Sequence, residues 1–289
     1  MTSQARPLGK PRWLKRRLPS HPNFALVRRL LGKYGLHTVC QEAKCPNQWE
    51  CFSKQTATFL IMGSRCTRDC RFCAIEHGSP LPPEPSEPER VAKAAAAMGL
   101  AYVVVTSVTR DDLSDGGASF FAETIRQIRH TLPEARVEVL IPDLQGDWTA
   151  LESILEAGPD VLNHNLETVP RLYGLARPQA DYRRSLELLR QAGEQHPGLP
   201  TKSGLMLGLG ESDQEIEEVL KDLLAADCRI LTLGQYLQPG PQQLQVERFL
   251  EPETFEAWRL KGLDLGFAEV ASGPFVRSSY KAQELYAQT

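Results

Sequence analysis

Short apolar runs alternate with longer amphipathic segments through most of the chain. Strand-sized runs, several rich in β-branched residues, are predicted at 57–62, 102–105, 137–141, 160–164, 201–207 and 230–236. Apolar residues at helical spacing follow each run and predict helices at 86–98, 120–132, 148–157, 182–191, 212–226 and 252–265. Two helix starts have the pattern of a capping box, Ser86 with Glu89 and Ser212 with Glu215.

Repeated strand–helix units of one kind predict a parallel sheet, and their even size is more typical of a barrel than of an open doubly wound sheet. A complete eight-unit barrel usually takes about 250 residues, whereas roughly 215 residues yield about six units here. We therefore predict an α/β fold, an incomplete parallel (βα)6 barrel (a partial TIM barrel) with an open side. The predicted domains are an N-terminal extension at 1–57, the barrel at 58–269 and a C-terminal extension at 270–289.

Charge and hydropathy narrow the possible partners. The formal net charge of −3 argues against a polyanion-binding protein, and no apolar run approaches the roughly 18 residues that a membrane helix needs. We expect no nucleic-acid partner, no membrane partner and a cytoplasmic location. The chain has Lys and Arg but no acidic residue before Glu42, and it lacks the apolar core of a secretion signal. This start is open to three interpretations, namely a solvated extended arm, an organelle transit peptide or a surface for an acidic partner.

The seven cysteines are unevenly distributed. Six lie between Cys40 and Cys73, while Cys228 stands alone and is expected in the core. Clustered cysteines without a secretion signal favour metal binding over disulfides. They form two sets of three, at 40–51 and 66–73, whereas structural zinc takes four ligands and a cubane iron–sulfur cluster normally takes four thiolates. Three cysteines leave one iron open to another ligand.

The second set is Cys66, Cys70 and Cys73, directly after the first predicted strand. Its C-x₃-C-x₂-C spacing, with Phe72 before the last cysteine, resembles the radical S-adenosylmethionine superfamily. The resemblance implies a [4Fe–4S] cluster whose open iron binds S-adenosylmethionine, and one electron then cleaves this cofactor to a 5′-deoxyadenosyl radical. The alternative is half of a zinc site with His77 as the fourth ligand, which leaves the first set unexplained.

The first set is Cys40, Cys45 and Cys51, with C-x₄-C-x₅-C spacing that resembles the lipoyl synthase family. Further matching motifs lie at 10–15, 106–117, 163–168, 202–211 and 277–280. The resemblance implies a second, auxiliary [4Fe–4S] cluster on these cysteines, with its fourth iron on a serine of segment 277–280. We favour Ser279 over Ser278, and we expect this serine to be catalytic, because a hard alkoxide is a weak ligand for iron in a cluster that gives up sulfur. The alternative is that both serines only bond backbone in a turn.

The family resemblance also implies the reaction and its partners. Two sulfur atoms enter at C6 and C8 of an octanoyl group on a lysine of a lipoyl carrier domain, and the auxiliary cluster supplies them. The expected partners are octanoylated 2-oxoacid dehydrogenase E2 subunits and glycine cleavage H protein, an electron donor such as ferredoxin or flavodoxin, and an iron–sulfur carrier. The rival hypotheses are another two-cluster sulfur-inserting enzyme, of the biotin synthase or methylthiotransferase kind, and a zinc-stabilised nucleic-acid-binding protein.

Residues near the strand ends are the candidates for cofactor contacts, because parallel barrels place their chemistry there. Glu167 is expected on the ribose hydroxyls and Arg177 on the cofactor carboxylate. Gly208 and Gly210 are expected to let the backbone approach the adenine. Loop packing or helix capping is the alternative for each. The full predicted set is Phe72, Thr106, Ser107, Asn165, Glu167, Arg177, Gly208 and Gly210.

Overall fold

A computed structural model describes residues 9–15 and 21–287 of the chain. Ten strands are present in this part of the chain. They are β1 (His37–Thr38), β2 (Thr58–Ile61), β3 (Arg65–Cys66), β4 (Glu76–His77), β5 (Tyr102–Ser107), β6 (Arg136–Leu140), β7 (Val161–Asn163), β8 (Thr201–Leu207), β9 (Ile230–Gln235) and β10 (Glu269–Gly273). Eight of them form one sheet in the order β1-β2-β5-β6-β7-β8-β9-β10, and β3 pairs with β4 in a small separate ladder.

The main sheet is an incomplete barrel, as predicted. Its strands from β2 to β10 are parallel to their neighbours, while β1 runs antiparallel to β2. Within the described ranges β1 and β10 are the two edges, and we call the gap between them the open side. The apolar pattern missed both edge strands, because β1 has two residues and β10 has one fully buried side chain, Val270. Both predicted extensions therefore add a strand to the barrel sheet.

Most of the longer helices connect one parallel strand to the next along the chain. The helices are α1 (Pro22–Tyr34), α2 (Val39–Glu42), α3 (Gln48–Ser53), α4 (Glu87–Ala97), α5 (Ala118–Thr131), α6 (Trp148–Glu156), α7 (Tyr173–Ala176), α8 (Tyr182–Gln195), α9 (Asp213–Ala225), α10 (Pro252–Leu265) and α11 (Ala282–Tyr286). Short 3₁₀ turns occur at Arg12–Leu14, Leu144–Gly146 and Pro170–Leu172. The six predicted long helices are confirmed as α4, α5, α6, α8, α9 and α10. No helix among the described residues is long and apolar enough to cross a membrane.

One predicted capping box is confirmed and the other is wrong. Ser212 accepts from the backbone of Glu215, whose carboxylate accepts from the backbone of Ser212. Ser86 precedes α4 but makes no side-chain cap. Its backbone already has helical angles (φ −84°, ψ −6°), whereas a capping residue normally has extended ones, so its hydroxyl is not presented to the first turn.

The barrel interior is polar at the end where the strands begin. Lys202 and Glu138 are almost fully buried, and Lys202 Nζ donates to both carboxylate oxygens of Glu138 at 2.9 and 3.2 Å. The Tyr102 hydroxyl donates to the same carboxylate at 2.7 Å. Helix α11 closes this end of the barrel, because Ala282 and Tyr286 pack against Tyr102. Away from this network, the isolated Cys228 is fully buried, as predicted.

Candidate functional site

Two cavities open at the C-terminal ends of the parallel strands. The first, of about 170 Å³, is lined by the second cysteine set and by residues that follow β5, β6 and β7. The second, of about 400 Å³, is lined by the first cysteine set and segment 276–280, and we call it the central cavity. Phe72, Cys73, Asn165 and Glu167 line both cavities, so the two sites share a wall.

The second cysteine set lies in a loop that begins with β3, just after β2. Backbone amides point at its sulfurs, since Cys66 Sγ accepts from Thr109 N at 3.3 Å and Cys73 Sγ accepts from Ile75 N at 3.5 Å. Burial raises the pKa of Cys70 to about 11 and that of Cys73 to about 12. Buried thiols of this kind lose their protons when a metal centre supplies the compensating positive charge.

Arg68 anchors this cysteine loop to the barrel. Its guanidinium donates to Asp111 from Nε and Nη2 at 2.6 and 2.8 Å, and Nη2 donates to Asp143 at 2.6 Å. Asp143 is fully buried and also accepts from Arg184 at 3.0 Å. Burial opposes ionisation of Asp143, but the hydrogen bonds and charge of Arg68 outweigh it and lower the pKa to about 2. The loop is therefore held by a charged, buried network.

The wall opposite the cysteine loop has polar atoms without partners. The described residues offer no hydrogen bond to four such buried atoms, namely Ser107 Oγ, His164 Nε2, Asn165 Oδ1 and Arg177 Nε. His164 Nδ1 lies 2.8 Å from the Ile141 carbonyl, which only accepts, so Nε2 carries a free lone pair. Because buried polar atoms are almost always hydrogen-bonded, this arrangement favours a bound ligand with both donors and acceptors.

Glu167 occupies the shared wall in a left-handed backbone conformation, with φ +66°. Its own amide donates to the Gly204 carbonyl at 2.9 Å, and its carbonyl accepts from Met206 N at 2.8 Å. Burial raises the pKa of Glu167, although Arg177 and Asn165 oppose that effect. Such strained residues persist where their surroundings fix them, which is typical of functional sites.

Six of the eight predicted cofactor residues lie together on the first cavity. They are Phe72, Thr106, Ser107, Asn165, Glu167 and Arg177. Gly208 and Gly210 line neither cavity, and the adenine role predicted for them remains a prediction. A Cβ at Gly208 would lie 2.3 Å from the Arg248 carbonyl, so this glycine makes room for a neighbouring chain segment.

The first cysteine set comes from the segment next to strand β1. Cys40 is in α2, Cys51 is in α3, and Cys45 lies between these helices. Burial raises the pKa of all three thiols, and that of Cys51 reaches about 11. All seven cysteines are free thiols. In the described ranges, no three His, Cys, Asp or Glu side chains are grouped to hold a metal ion. Instead, each cysteine set lines a cavity.

Segment 277–280 joins this cysteine set across the open side. Thr58 Oγ1 donates to Ser279 Oγ at 2.8 Å, and Thr58, Ser279 and Cys40 line the central cavity together. The Ser278 hydroxyl instead accepts from Asn165 Nδ2 at 2.6 Å. Both serines line the central cavity; Ser279 bonds Thr58, whereas Ser278 bonds Asn165, which lines both cavities. Neither serine is confined to backbone contacts in a turn.

Arg68, His164 and Lys10 were absent from the predicted site. The only sequence signals were that Arg68 lies inside the cysteine motif and His164 beside Asn165. Lys10 lies in the described part of the basic start and lines the central cavity. Arg6, Arg16 and Arg17, which belong to the same basic start, lie outside the described residues. His77 lines the first cavity, where its Nδ1 is 3.5 Å from Asp69, as an exposed pair.

The chain resembles known proteins over most of its length. Residues 60–223 match the family model of the Radical SAM superfamily. The chain is 58% identical to the lipoyl synthase of Desulfotalea psychrophila over 96% of this chain and 93% of that protein. It is 52% identical to the lipoyl synthase of Alkaliphilus metalliredigens over 95% of each chain. Among solved structures it resembles methylornithine synthase, with a TM-score of 0.55, 16% identity and coverage of 90% of this chain and 84% of that one. At that identity the structural likeness shows the fold alone.

Proposed function

The chain belongs to the lipoyl synthase family of radical S-adenosylmethionine enzymes, and we propose that its two cavities divide the family's reaction between them. The enzyme inserts two sulfur atoms at C6 and C8 of an octanoyl group on a lysine of a lipoyl carrier domain. It uses S-adenosylmethionine and two [4Fe–4S] clusters, of which the auxiliary one is consumed as the sulfur source.

We assign the radical cluster to Cys66, Cys70 and Cys73. When bound, it supplies the electron that cleaves S-adenosylmethionine to a 5′-deoxyadenosyl radical. The amides that point at Cys66 and Cys73 favour the thiolate form of these ligands. Arg68 anchors the loop to Asp111, which follows strand β5, and Phe72 forms part of the wall between the two cavities.

The unpartnered atoms of the first cavity fit S-adenosylmethionine. The methionine part of this molecule has a carboxylate and an ammonium group, and its adenosine has hydroxyl and amino donors. Arg177 Nη1 already donates to the Asn165 and Leu166 carbonyls at 2.8 and 3.0 Å, so its unpartnered Nε is the atom we assign to the carboxylate. His164 Nε2 and Asn165 Oδ1 accept from ligand donors, and Glu167 accepts from the ribose hydroxyls.

The sulfur-donor cluster is assigned to Cys40, Cys45, Cys51 and Ser279. Its position against Thr58 and beside Cys40 supports Ser279 rather than Ser278 as the fourth ligand. The serine oxygen is the hard ligand in an otherwise thiolate set, so the iron it holds is the most easily released. Because this iron is the one most easily released, we also treat Ser279 as catalytic.

One observation carries the proposal: the central cavity touches both cysteine sets. Cys73 lies on one wall, while Cys40, Cys45 and Cys51 lie on another. Between them the lining is largely apolar, with Val39, Leu140, Leu205, Met206 and Leu237 among its residues. An acyl chain placed here has the radical site on one side and the sulfur donor on the other. That arrangement brings together a carbon radical and the sulfide it attacks.

Lys10 and Lys44 line this cavity, are exposed and form no ion pair with the described residues, and we propose that the carrier domain approaches from their side. We infer that the octanoylated carriers are 2-oxoacid dehydrogenase E2 subunits and glycine cleavage H protein. We further propose ferredoxin or flavodoxin as electron donor, an iron–sulfur carrier for rebuilding the consumed cluster, and a cytoplasmic location. Reducing conditions there keep the cysteines free to bind iron.

The ligand assignment is tested by anaerobic reconstitution of the native protein and of Ser279→Ala, Cys45→Ala and Ser153→Ala variants. Ser153 is a half-buried serine on helix α6 that lines neither cavity, and it serves as the matched control. We expect Mössbauer spectra of Ser279→Ala to lose the distinct site of the auxiliary cluster. Deoxyadenosine should still form, while the sulfur-containing product is lost. Full product formation by Ser279→Ala would refute the assignment.

A further inference from the structure

A further cavity, of about 130 Å³, reaches the first cysteine set from the other end of the barrel, and we call it the lower cavity. Ala57 and Thr58, at the start of β2, and Tyr102, at the start of β5, line it together with residues of α11. The central cavity opens instead where the parallel strands end. The lower cavity therefore lies at the end of the barrel that α11 closes.

The lower and central cavities share a wall that contains proposed cluster ligands. Cys40, Cys51 and Ser279 line both cavities, and so do Thr58 and Tyr280. Thr58 Oγ1 and Ser279 Oγ are joined across this wall by their 2.8 Å hydrogen bond. The auxiliary site thus has one side toward the proposed acyl chain and a second side toward the lower cavity.

The rim of the lower cavity is exposed. Lys54 and Thr56 follow α3, Gln283 lies on α11, and all three side chains are exposed to solvent. The Thr56 hydroxyl donates to the Cys51 carbonyl at 3.0 Å. An exposed rim residue is therefore in direct contact with a residue of the cysteine set, so the path from solvent to this side of the auxiliary site is short.

The charged residues of the lower cavity are paired with each other. Lys54 Nζ lies 3.0 Å from the Glu50 carboxylate. Lys281 Nζ lies 3.1 Å from the Glu284 carboxylate. The two exposed lysines of the central cavity, by contrast, form no ion pair with the described residues. A negatively charged partner is therefore attracted to the central cavity more than to the lower one, which leaves the lower cavity accessible while substrate is bound.

We propose that the lower cavity is the entrance through which iron and sulfide reach the auxiliary site when the consumed cluster is rebuilt. The inference rests on the proposed function, in which the first cysteine set and Ser279 hold the sulfur donor. Substrate enters through the central cavity and iron and sulfide through the lower one, so the acyl arm does not block rebuilding.

This step changes no oxidation state, whether a whole [4Fe–4S] cluster is transferred or the cluster is assembled from sulfide and equal amounts of ferrous and ferric iron. Each cysteine thiol and the Ser279 hydroxyl loses one proton as it binds iron. The protons pass to the thiolates that a carrier protein releases, or to buffer when the ions are free.

The test compares rebuilding in the native protein, in Gln283→Trp and Thr56→Trp, which fill the entrance, and in Gln214→Trp. Gln214 is the matched control, because it is an exposed helix glutamine on α9 that lines none of the three cavities. Each fully loaded protein first consumes its auxiliary cluster in a single turnover with octanoyl-lysine peptide. Isotopically labelled iron and sulfide are then supplied, either as free ions or as a cluster on a carrier protein. Mössbauer spectra follow the labelled iron at the auxiliary site.

We expect the first turnover to be the same in all four proteins. Rebuilding should be about tenfold slower in Gln283→Trp and Thr56→Trp, since entry then waits for a minor open conformation. It should be unchanged in Gln214→Trp. Slowing with the carrier-held cluster alone would mean that a carrier docks at this rim, and slowing with the free ions alone that they diffuse in unaided.

Native rates of rebuilding in both blocked variants, from both sources, would overturn the proposal. Failure of the proposed function is recognised separately, because the native enzyme would then form no sulfur-containing peptide in the first turnover.

A second measurement uses the native protein alone and covers the case in which a tryptophan variant misfolds. After the auxiliary cluster has been consumed, labelled iron and sulfide are supplied with and without saturating octanoyl-lysine peptide, in the absence of S-adenosylmethionine. Equal loading rates are expected, because the peptide occupies the central cavity and leaves the lower one open. Loading that stops while the peptide is bound would overturn the proposal.

Discussion

Replacing Arg68 by alanine tests whether a buried ion network holds the radical-cluster loop. The substitution removes three short hydrogen bonds to Asp111 and Asp143. Asp143 has no solvent exposure and keeps only Arg184 as a charged partner. Removing one partner of a buried pair typically costs about 3–5 kcal/mol. With roughly 2 cal/mol/K of unfolding entropy per residue, this loss lowers the melting temperature by about 5–8 °C.

The same network predicts how stability depends on pH. Asp143 has its pKa lowered from 3.8 to about 2 in the folded protein. A lowered carboxyl pKa contributes stability that is fully present above the unfolded pKa and is lost as pH falls toward 2. The contribution is about 2 kcal/mol at neutral pH. In Arg68→Ala the pKa of Asp143 rises, so this part of the acid destabilisation disappears.

The assay is differential scanning calorimetry of the apo proteins between pH 3 and 7, at intervals of about one pH unit. The iron content of each protein is measured after reconstitution. Arg71→Ala is the matched control, because Arg71 lies in the same loop but its side chain is exposed. The melting temperature of Arg68→Lys should lie between those of Arg68→Ala and Arg71→Ala, since lysine keeps the charge but loses the forked geometry. A melting temperature of Arg68→Ala equal to that of Arg71→Ala at pH 7 would refute the reasoning.

Three further predictions concern the barrel interior. Burial, with Arg177 nearby, lowers the pKa of His164 from 6.5 to about 4, so about 3 kcal/mol of stability is lost as pH falls through this range. Calorimetry of His164→Gln should show a flatter dependence of melting temperature on pH, and an unchanged dependence would contradict this. Gly204→Ala places a Cβ 2.3 Å from the Thr232 hydroxyl on β9 and should lower the free energy of unfolding by about 1–3 kcal/mol. Gly174→Ala has open space around the new Cβ and should cause no such loss. Equal melting temperatures for the two variants would contradict the clash. Lys202→Met leaves the carboxylate of Glu138 buried without its cation and should lower the free energy of unfolding by about 3–5 kcal/mol. Much of this loss should be recovered in the double variant with Glu138→Leu. A double variant less stable than Lys202→Met would contradict the role of the uncompensated charge.

The sequence predicted the repeating part of the fold because periodicity reports burial. Each long parallel strand and its helix has enough apolar positions to set a period. Strand β1 is too short for that, and β10 is partly buried along most of its length, so pairing with neighbours defines both. The error at Ser86 has a related origin, since the preceding turn, and not the capping motif, sets its backbone angles.

The site was predictable where ligands are close in sequence. The spacing of the cysteines predicted two sets, and each set lines a cavity; the predicted Asn165, Glu167 and Arg177 line the first cavity, and their roles toward the cofactor remain predictions. Arg68 and His164 were missed because their importance depends on partners distant in sequence, such as Asp143 for Arg68. The link between Asn165 and Ser278 spans 113 residues, and only the fold brings the two side chains together.

The most direct test of the central claim traces the inserted sulfur. The auxiliary cluster is built with heavy sulfide, and the enzyme is given reductant, S-adenosylmethionine and an octanoyl-lysine peptide in the absence of air. Mass spectrometry of the peptide should then show two heavy sulfur atoms in place of two hydrogens, and the product should vanish in Cys45→Ala. A product with unlabelled sulfur, or an unchanged peptide alongside deoxyadenosine, would contradict the account.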